Sequence, residues 1–78
     1  MDDKEIARRI SELTDEQRNV LYGLCEARHN QPGAPVVVYL KVDGEIAQAL
    51  HEKELVWLLP ENPTQAGARD DVYNYWRG

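Results

Sequence analysis

Turn-forming residues are expected to interrupt this chain at Asn30–Pro35, at Asp43-Gly44 and across Pro60–Asp71. The blocks between them are short, and their periodicities differ. Ahead of the first break, Ile6, Ile10 and Leu13 recur at i, i+4 and i+7. This is one apolar stripe of a helix predicted over 3–12, with Asp2 and Asp3 at its positive end. Thr14-Asp15-Glu16-Gln17 reads as a capping box with Leu13 as its staple residue. It opens a second helix over 15–29 that turns Val20, Leu21, Leu24 and Cys25 inward. Val36–Val42 holds four valines and a tyrosine, side chains that lose χ1 freedom in a helix and suit a pleated surface, so a strand is expected there. Helical spacing returns with Ile46, Ala49 and Leu50 in a third helix over 44–54. The apolar runs 55–59 and 72–76 then read as the two strands of a long hairpin around Pro60–Asp71. The expected order is α-α-β-α-β-β, a small α+β domain covering residues 1–78.

A chain of 78 residues, 42% apolar and 29% charged, has the composition of a folded domain and room for one small core. Val36–Leu40 and Leu55–Pro60, the longest apolar stretches, fall far short of the roughly 20 residues that cross a bilayer. No membrane partner is expected. The acidic start Met1-Asp2-Asp3-Lys4-Glu5 is unlike a secretory leader, and the lone Cys25 has no disulfide partner within the chain, so a cytoplasmic location is expected. Nine Lys and Arg against fourteen Asp and Glu give a net charge of −5, whose field repels phosphate backbones and anionic lipid surfaces.

No catalytic constellation stands out. Cys25 and His29 share a helical face, but with His51 they make only three potential metal ligands, without a fourth or a paired cysteine. A mid-helix thiol on the apolar stripe packs rather than reacts. Glu61, Asp70 and Asp71 read as acids of a solvated loop, and Gly33, Gly44 and Gly67 are isolated turn residues rather than a phosphate cradle. Neither an enzyme nor a metal nor another cofactor is expected.

Two phrases carry a likeness. Leu13-Thr14-Asp15-Glu16-Gln17-Arg18-Asn19-Val20-Leu21-Tyr22-Gly23-Leu24 is similar to the "L-T-x-x-Q-x-x-V-L-x-x-L" that opens the first core helix of MarR-like regulators. Leu50-His51-Glu52-Lys53-Glu54-Leu55-Val56 is similar to the "L-x-x-K/R-G-L-V" on which their recognition helix closes, with Glu54 at the glycine position. From Leu13 to about Tyr75 the chain therefore resembles a winged-helix domain with a C-terminal hairpin wing. It departs from the family at Pro35–Val42, strand-like where the family has the first helix of its helix-turn-helix.

The resemblance implies a small DNA-binding transcriptional regulator. Gln48 and His51 would face base edges from the third helix, and Thr64, Gln65 and Arg69 would sit on the wing. Lys41, Lys53 and Arg18 would contact the backbone, and residues 1–13, through Ile6 and Ile10, would complete a homodimer. The residues themselves keep a second reading open. The third helix presents Glu45, Gln48, His51, Glu52 and Lys53, more acidic than basic. Trp57, Tyr73, Tyr75 and Trp76, with Arg77, are types that dominate protein-binding hot spots. An acidic winged-helix module that regulates or inhibits a host protein, of a phage or plasmid kind, is the alternative.

Overall fold

A computed structural model describes residues 1–31 and 36–78. Its described elements are α1 (Asp3–Ser11), α2 (Asp15–His29), β1 (Leu40–Lys41), α3 (Gly44–Glu52), β2 (Val56–Leu59), β3 (Asn62–Ala68) and α4 (Asp70–Arg77). The chain is thus mixed α+β, with four helices and a three-stranded antiparallel sheet in the order β1-β3-β2.

The first three helices start where side chains accept orphan backbone N–H groups. The Asp2 carboxylate accepts from Glu5 N at 2.8 Å, and that of Asp43 accepts from Glu45 N at 2.9 Å. The capping box forms in full: Gln17 N donates to Thr14 Oγ1 at 3.1 Å, and Thr14 N donates to Gln17 Oε1 at 3.0 Å.

Two expectations about the sheet are corrected. Val72–Trp76 is not a strand; it lies in α4, with Asp70 and Asp71 in its first turn and Arg77 in its last, charges that complement the helix dipole. The partner of β2 is instead β3, reached through a tight turn at Pro60 and Glu61. The hairpin is therefore internal rather than C-terminal, and the order gains a final helix. Likewise, the strand expected over 36–42 is reduced to Leu40–Lys41, paired with Ala66 and Gln65. Val36–Tyr39 lie outside the ladder, and Val37 and Val38 pass over Gly67. A Cβ at Gly67 would stand 2.5 Å from Val37 Cγ1 and 2.8 Å from the Val38 carbonyl oxygen. Pro32–Pro35, part of the expected break and of the strand-like stretch, lie outside the described residues.

β3 is the central strand although Asn, Pro, Gly and Ala are poor strand formers. Its small residues Ala66, Gly67 and Ala68 are all buried, which lets neighbouring elements approach closely. Pro63, which lacks an N–H, sits near the hairpin tip beside the irregularity at Leu58 and Leu59. One core unites the elements: Ile6, Ile10 and Leu13 meet Leu21, Leu24 and Cys25 of α2, Leu50 of α3, Val56 of β2 and Val72 and Tyr73 of α4. The apolar stripe of α1 is thus buried within the chain's own core, Ile6 completely, and neither Ile6 nor Ile10 remains as an exposed dimer contact.

Candidate functional site

Residues opposite each other in an antiparallel ladder share a face. Leu40, Ala66 and Leu58 are in register, as are Ala68 and Val56; Val56, Ala66 and Ala68 are fully buried, so this is the inner face. Lys41 with Gln65, and Gly67 with Trp57, therefore lie on the outer face. Trp57 is 42% exposed. The Arg69 guanidinium carbon stands 4.1 Å from the centroid of a Trp57 ring, a cation–π stack that holds both side chains. Val36, 56% exposed, begins the segment that crosses this face at Gly67.

The charges are sorted unevenly. Arg8 pairs with Glu5 and Glu12, Arg9 with Glu5 and Glu54, Arg18 with Asp15, Arg28 with Asp70 and Lys53 with Glu12. The Arg8 guanidinium, and then that of Arg9, holds the Glu5 carboxyl below its ordinary range. Among the described residues, Lys4, Lys41, Arg69 and Arg77 make no ion pair. Two of these four, Lys41 and Arg69, stand on the outer face of the sheet.

The expected DNA contacts do not form one basic surface. Gln48 and His51 are exposed on α3, but the Gln48 amide donates to Glu52 at 3.4 Å, and Glu45 and Glu52 are exposed on the same helix. Lys53 is drawn away to Glu12 on the α1 side at 3.2 Å. Thr64 Oγ1 donates to Asn62 Oδ1 at 2.8 Å near the hairpin tip. Of the set, Arg69 stacks on Trp57 and Lys41 pairs with Gln65, with Val37 and Val38 lying over Gly67, the β3 residue that stands between Gln65 and Arg69. Arg18 is held by Asp15 and by the Leu13 carbonyl.

The expected aromatic contacts divide in the same way. Tyr73 is buried, and Tyr75 and Trp76 are half-buried against the core, so only Trp57 is exposed. Tyr73 OH lies 3.0 Å from His29 Nδ1, Trp76 meets His29 edge-on at 5.8 Å between centroids, and the exposed Arg77 approaches the Tyr73 ring at 5.9 Å. These rings fasten α4 to α2.

Arg28, which sequence reasoning missed, completes that joint. It is buried, donates to the Ala68 carbonyl at 3.1 Å, pairs with Asp70 at 2.7 Å and stacks 4.6 Å from the Tyr73 centroid. Its spacing from Leu21, Leu24 and Cys25 on the inward stripe was the available signal. Burial pushes the Cys25 thiol up to about 12, against the opposing charge of Arg28, so it is protonated at neutral pH.

Between the ends of α1 and α3 lies a polar cleft of about 280 Å³. Arg8, Arg9 and Lys53 face Glu12, Glu52 and Glu54 across it, and Arg9 donates to the Lys53 carbonyl at 2.8 Å. The charges compensate within the cleft, which favours no ligand of either sign. Among the described residues no cluster of His, Cys, Asp and Glu has the makings of a metal site, and no helix is long and apolar enough to cross a membrane. No protein-family model matches the chain, and no curated protein or solved structure is significantly similar to it.

Proposed function

We propose that this chain is a winged-helix-like module that binds a protein, docked on the outer face of its sheet, rather than a regulator that inserts α3 into DNA. In support of the fold kinship, a strand precedes α3 and a hairpin follows it, and the sheet order β1-β3-β2 places the strand before α3 beside the second hairpin strand. The observation that carries the functional reading is Trp57, exposed on the outer face and stacked against Arg69, a cation that makes no ion pair among the described residues. The corresponding surface of α3 offers Glu45 and Glu52, which phosphates repel.

The test is a titration onto mixed-sequence duplex DNA at about 50 mM and about 200 mM salt. A regulator with six phosphate contacts would bind at the lower salt and weaken by about a thousandfold at the higher. The expected result is no binding at either. Binding at low salt that Gln48→Ala weakens would overturn the protein-binding reading in favour of DNA.

A further inference from the structure

Arg28 sits where a strand would continue. Val42 N donates to Thr64 O at 2.9 Å, so Thr64 turns its backbone groups toward β1, whereas Arg69 N donates to Leu55 O at 3.3 Å, on the β2 side. Backbone groups alternate in direction along an antiparallel strand, and Thr64, Ala66 and Ala68 therefore face β1. The register that pairs Leu40 with Ala66 and Lys41 with Gln65 would, carried two residues back, make Val38 and Ala68 a hydrogen-bonded pair. The Ala68 carbonyl instead accepts from Arg28 Nη1 at 3.1 Å, and Ala68 N has no backbone partner among the described residues. Val38 lies over the outer face, where its carbonyl oxygen and Val37 Cγ1 come so close to Gly67 that no Cβ fits beneath them.

Val36, Val37, Val38 and Tyr39 are strand formers, yet their backbone groups make no hydrogen bond among the described residues. We infer that Val36–Tyr39 is a two-position element and that Arg28 sets its position. With the guanidinium on Ala68 O, the segment crosses over Gly67. With it withdrawn, Val38 N–H donates to Ala68 O, Ala68 N–H donates to Val38 O, and β1 lengthens backwards through Val38. Arg28 supplies one charge-assisted bond where pairing supplies two neutral ones, so the two arrangements compete on similar terms. Asp70, 2.7 Å from Arg28 Nη2, tips the balance toward the arginine by neutralising a buried cation. The balance stays close, because Arg28 Nε is buried without a partner among the described residues. Gly67 belongs to the same device, as the residue that lets a backbone cross at this distance. Pairing uncovers it, and with it the outer face beside its cross-strand partner Trp57.

The experiment compares the intact wild type, Arg28→Met and Asp70→Asn by NMR. Arg28→Met keeps an apolar stem and removes the donor. It should turn the Cα and Cβ shifts of Val36–Tyr39 strand-like and slow exchange of the Val38 amide at least about tenfold. It should also bring Tyr39 Hα within NOE range of Gly67 Hα, as in a non-hydrogen-bonded pair. Asp70→Asn, at a side chain 75% exposed, leaves the donor but removes its counter-charge, and should move the same resonances part of the way. Stability gives an independent measure. Gly67→Ala should lower the Tm of the wild type, whereas in the Arg28→Met background the loss should be about half or less, because the crossing segment no longer stands over the added methyl.

Unchanged Val36–Tyr39 shifts in a folded Arg28→Met variant overturn the proposal, as do irregular shifts without the Tyr39–Gly67 contact. An equal Gly67→Ala loss in both backgrounds overturns it too, since Arg28 would then only buttress the fold. If Arg28→Met does not fold, Asp70→Asn decides. Slower Val38 exchange in that variant supports the two-position element, and exchange that is unchanged or faster overturns it.

Discussion

Glu54 is the one non-glycine residue among those described whose backbone is left-handed, at φ 59°. It stands one residue beyond the C-cap of α3, Lys53. Glu54 N donates to His51 O at 2.9 Å, and Leu55 N donates to Leu50 O at 3.1 Å, the paired bonds of a Schellman motif. Leu50 and Leu55, both fully buried, supply its apolar contact. The left-handed conformation costs a residue with a Cβ about 1–2 kcal/mol. Glycine removes that strain but adds freedom to the unfolded chain, offsetting about 0.5–1 kcal/mol. The substitution also deletes the Arg9–Glu54 pair at 3.7 Å, whose carboxylate is 62% exposed, so that loss is small.

Glu54→Ala removes the pair and keeps the strain, which makes it the right reference. Glu54→Gly should exceed Glu54→Ala in stability by about 0.5–1 kcal/mol, a rise in Tm of about 2–8 °C for a domain of this size. Glu54→Asn should fall between them. Thermal and urea unfolding followed by circular dichroism measure both quantities. A glycine variant no more stable than the alanine variant would refute the reasoning, because strain at this position could not then be limiting.

Gly67→Ala should destabilise the fold by about 1–3 kcal/mol, since the added methyl meets Val37 Cγ1 at 2.5 Å and the Val38 carbonyl oxygen at 2.8 Å and the crossing segment must move. Faster hydrogen exchange at Lys41 and Val42 would accompany it, and an unchanged melting curve would contradict the close crossing. Burial raises the Cys25 thiol from 9.0 to about 12, so at intermediate pH the unfolded chain releases a proton that the native state keeps. The thiol's contribution is therefore whole below about pH 9 and declines toward pH 12, by about 1.4 kcal/mol per unit. The stability of wild type minus that of Cys25→Val, followed by urea unfolding from pH 8 to 11, should fall accordingly; a flat difference would contradict the burial.

What the sequence disclosed were the elements whose reasons are local. The capping box at Thr14 and Gln17 and the stripe of Ile6, Ile10 and Leu13 need only their own neighbours, and α1 and α2 begin where those signals place them. The hairpin failed for the opposite reason. Asn62–Ala68 has low strand propensity and becomes the central strand of a sheet on whose faces its small, buried Ala66, Gly67 and Ala68 let other segments pack closely. Val72–Trp76 has high strand propensity and becomes a helix because Val72, Tyr73 and Trp76 form one stripe against α2 and the core. The acids at Asp70 and Asp71, read as loop residues, were the helix-start signal that propensity concealed.

The candidate surface was legible in its members but not in its grouping. Lys41, Gln65, Arg69 and Trp57 are each identifiable as contact types, but the pairing of Lys41 with Gln65 and of Arg69 with Trp57 depends on a register that neither periodicity nor spacing contains. Charge followed the same logic. A count of nine cations and fourteen acids fixes the sign of the whole molecule, but not which cations are neutralised. Lys53, assigned to a phosphate by its place on α3, meets Glu12, some forty positions earlier in the chain, because α1 packs beside the end of α3. Lys41 on β1 and Arg69, just after β3, make no ion pair among the described residues, and none of the three strands contains an acid. Hence net charge argues against nucleic acid at long range, while which cations keep their charge unpaired is decided locally, by the packing of α1 against the end of α3 and by the absence of acids from the strands.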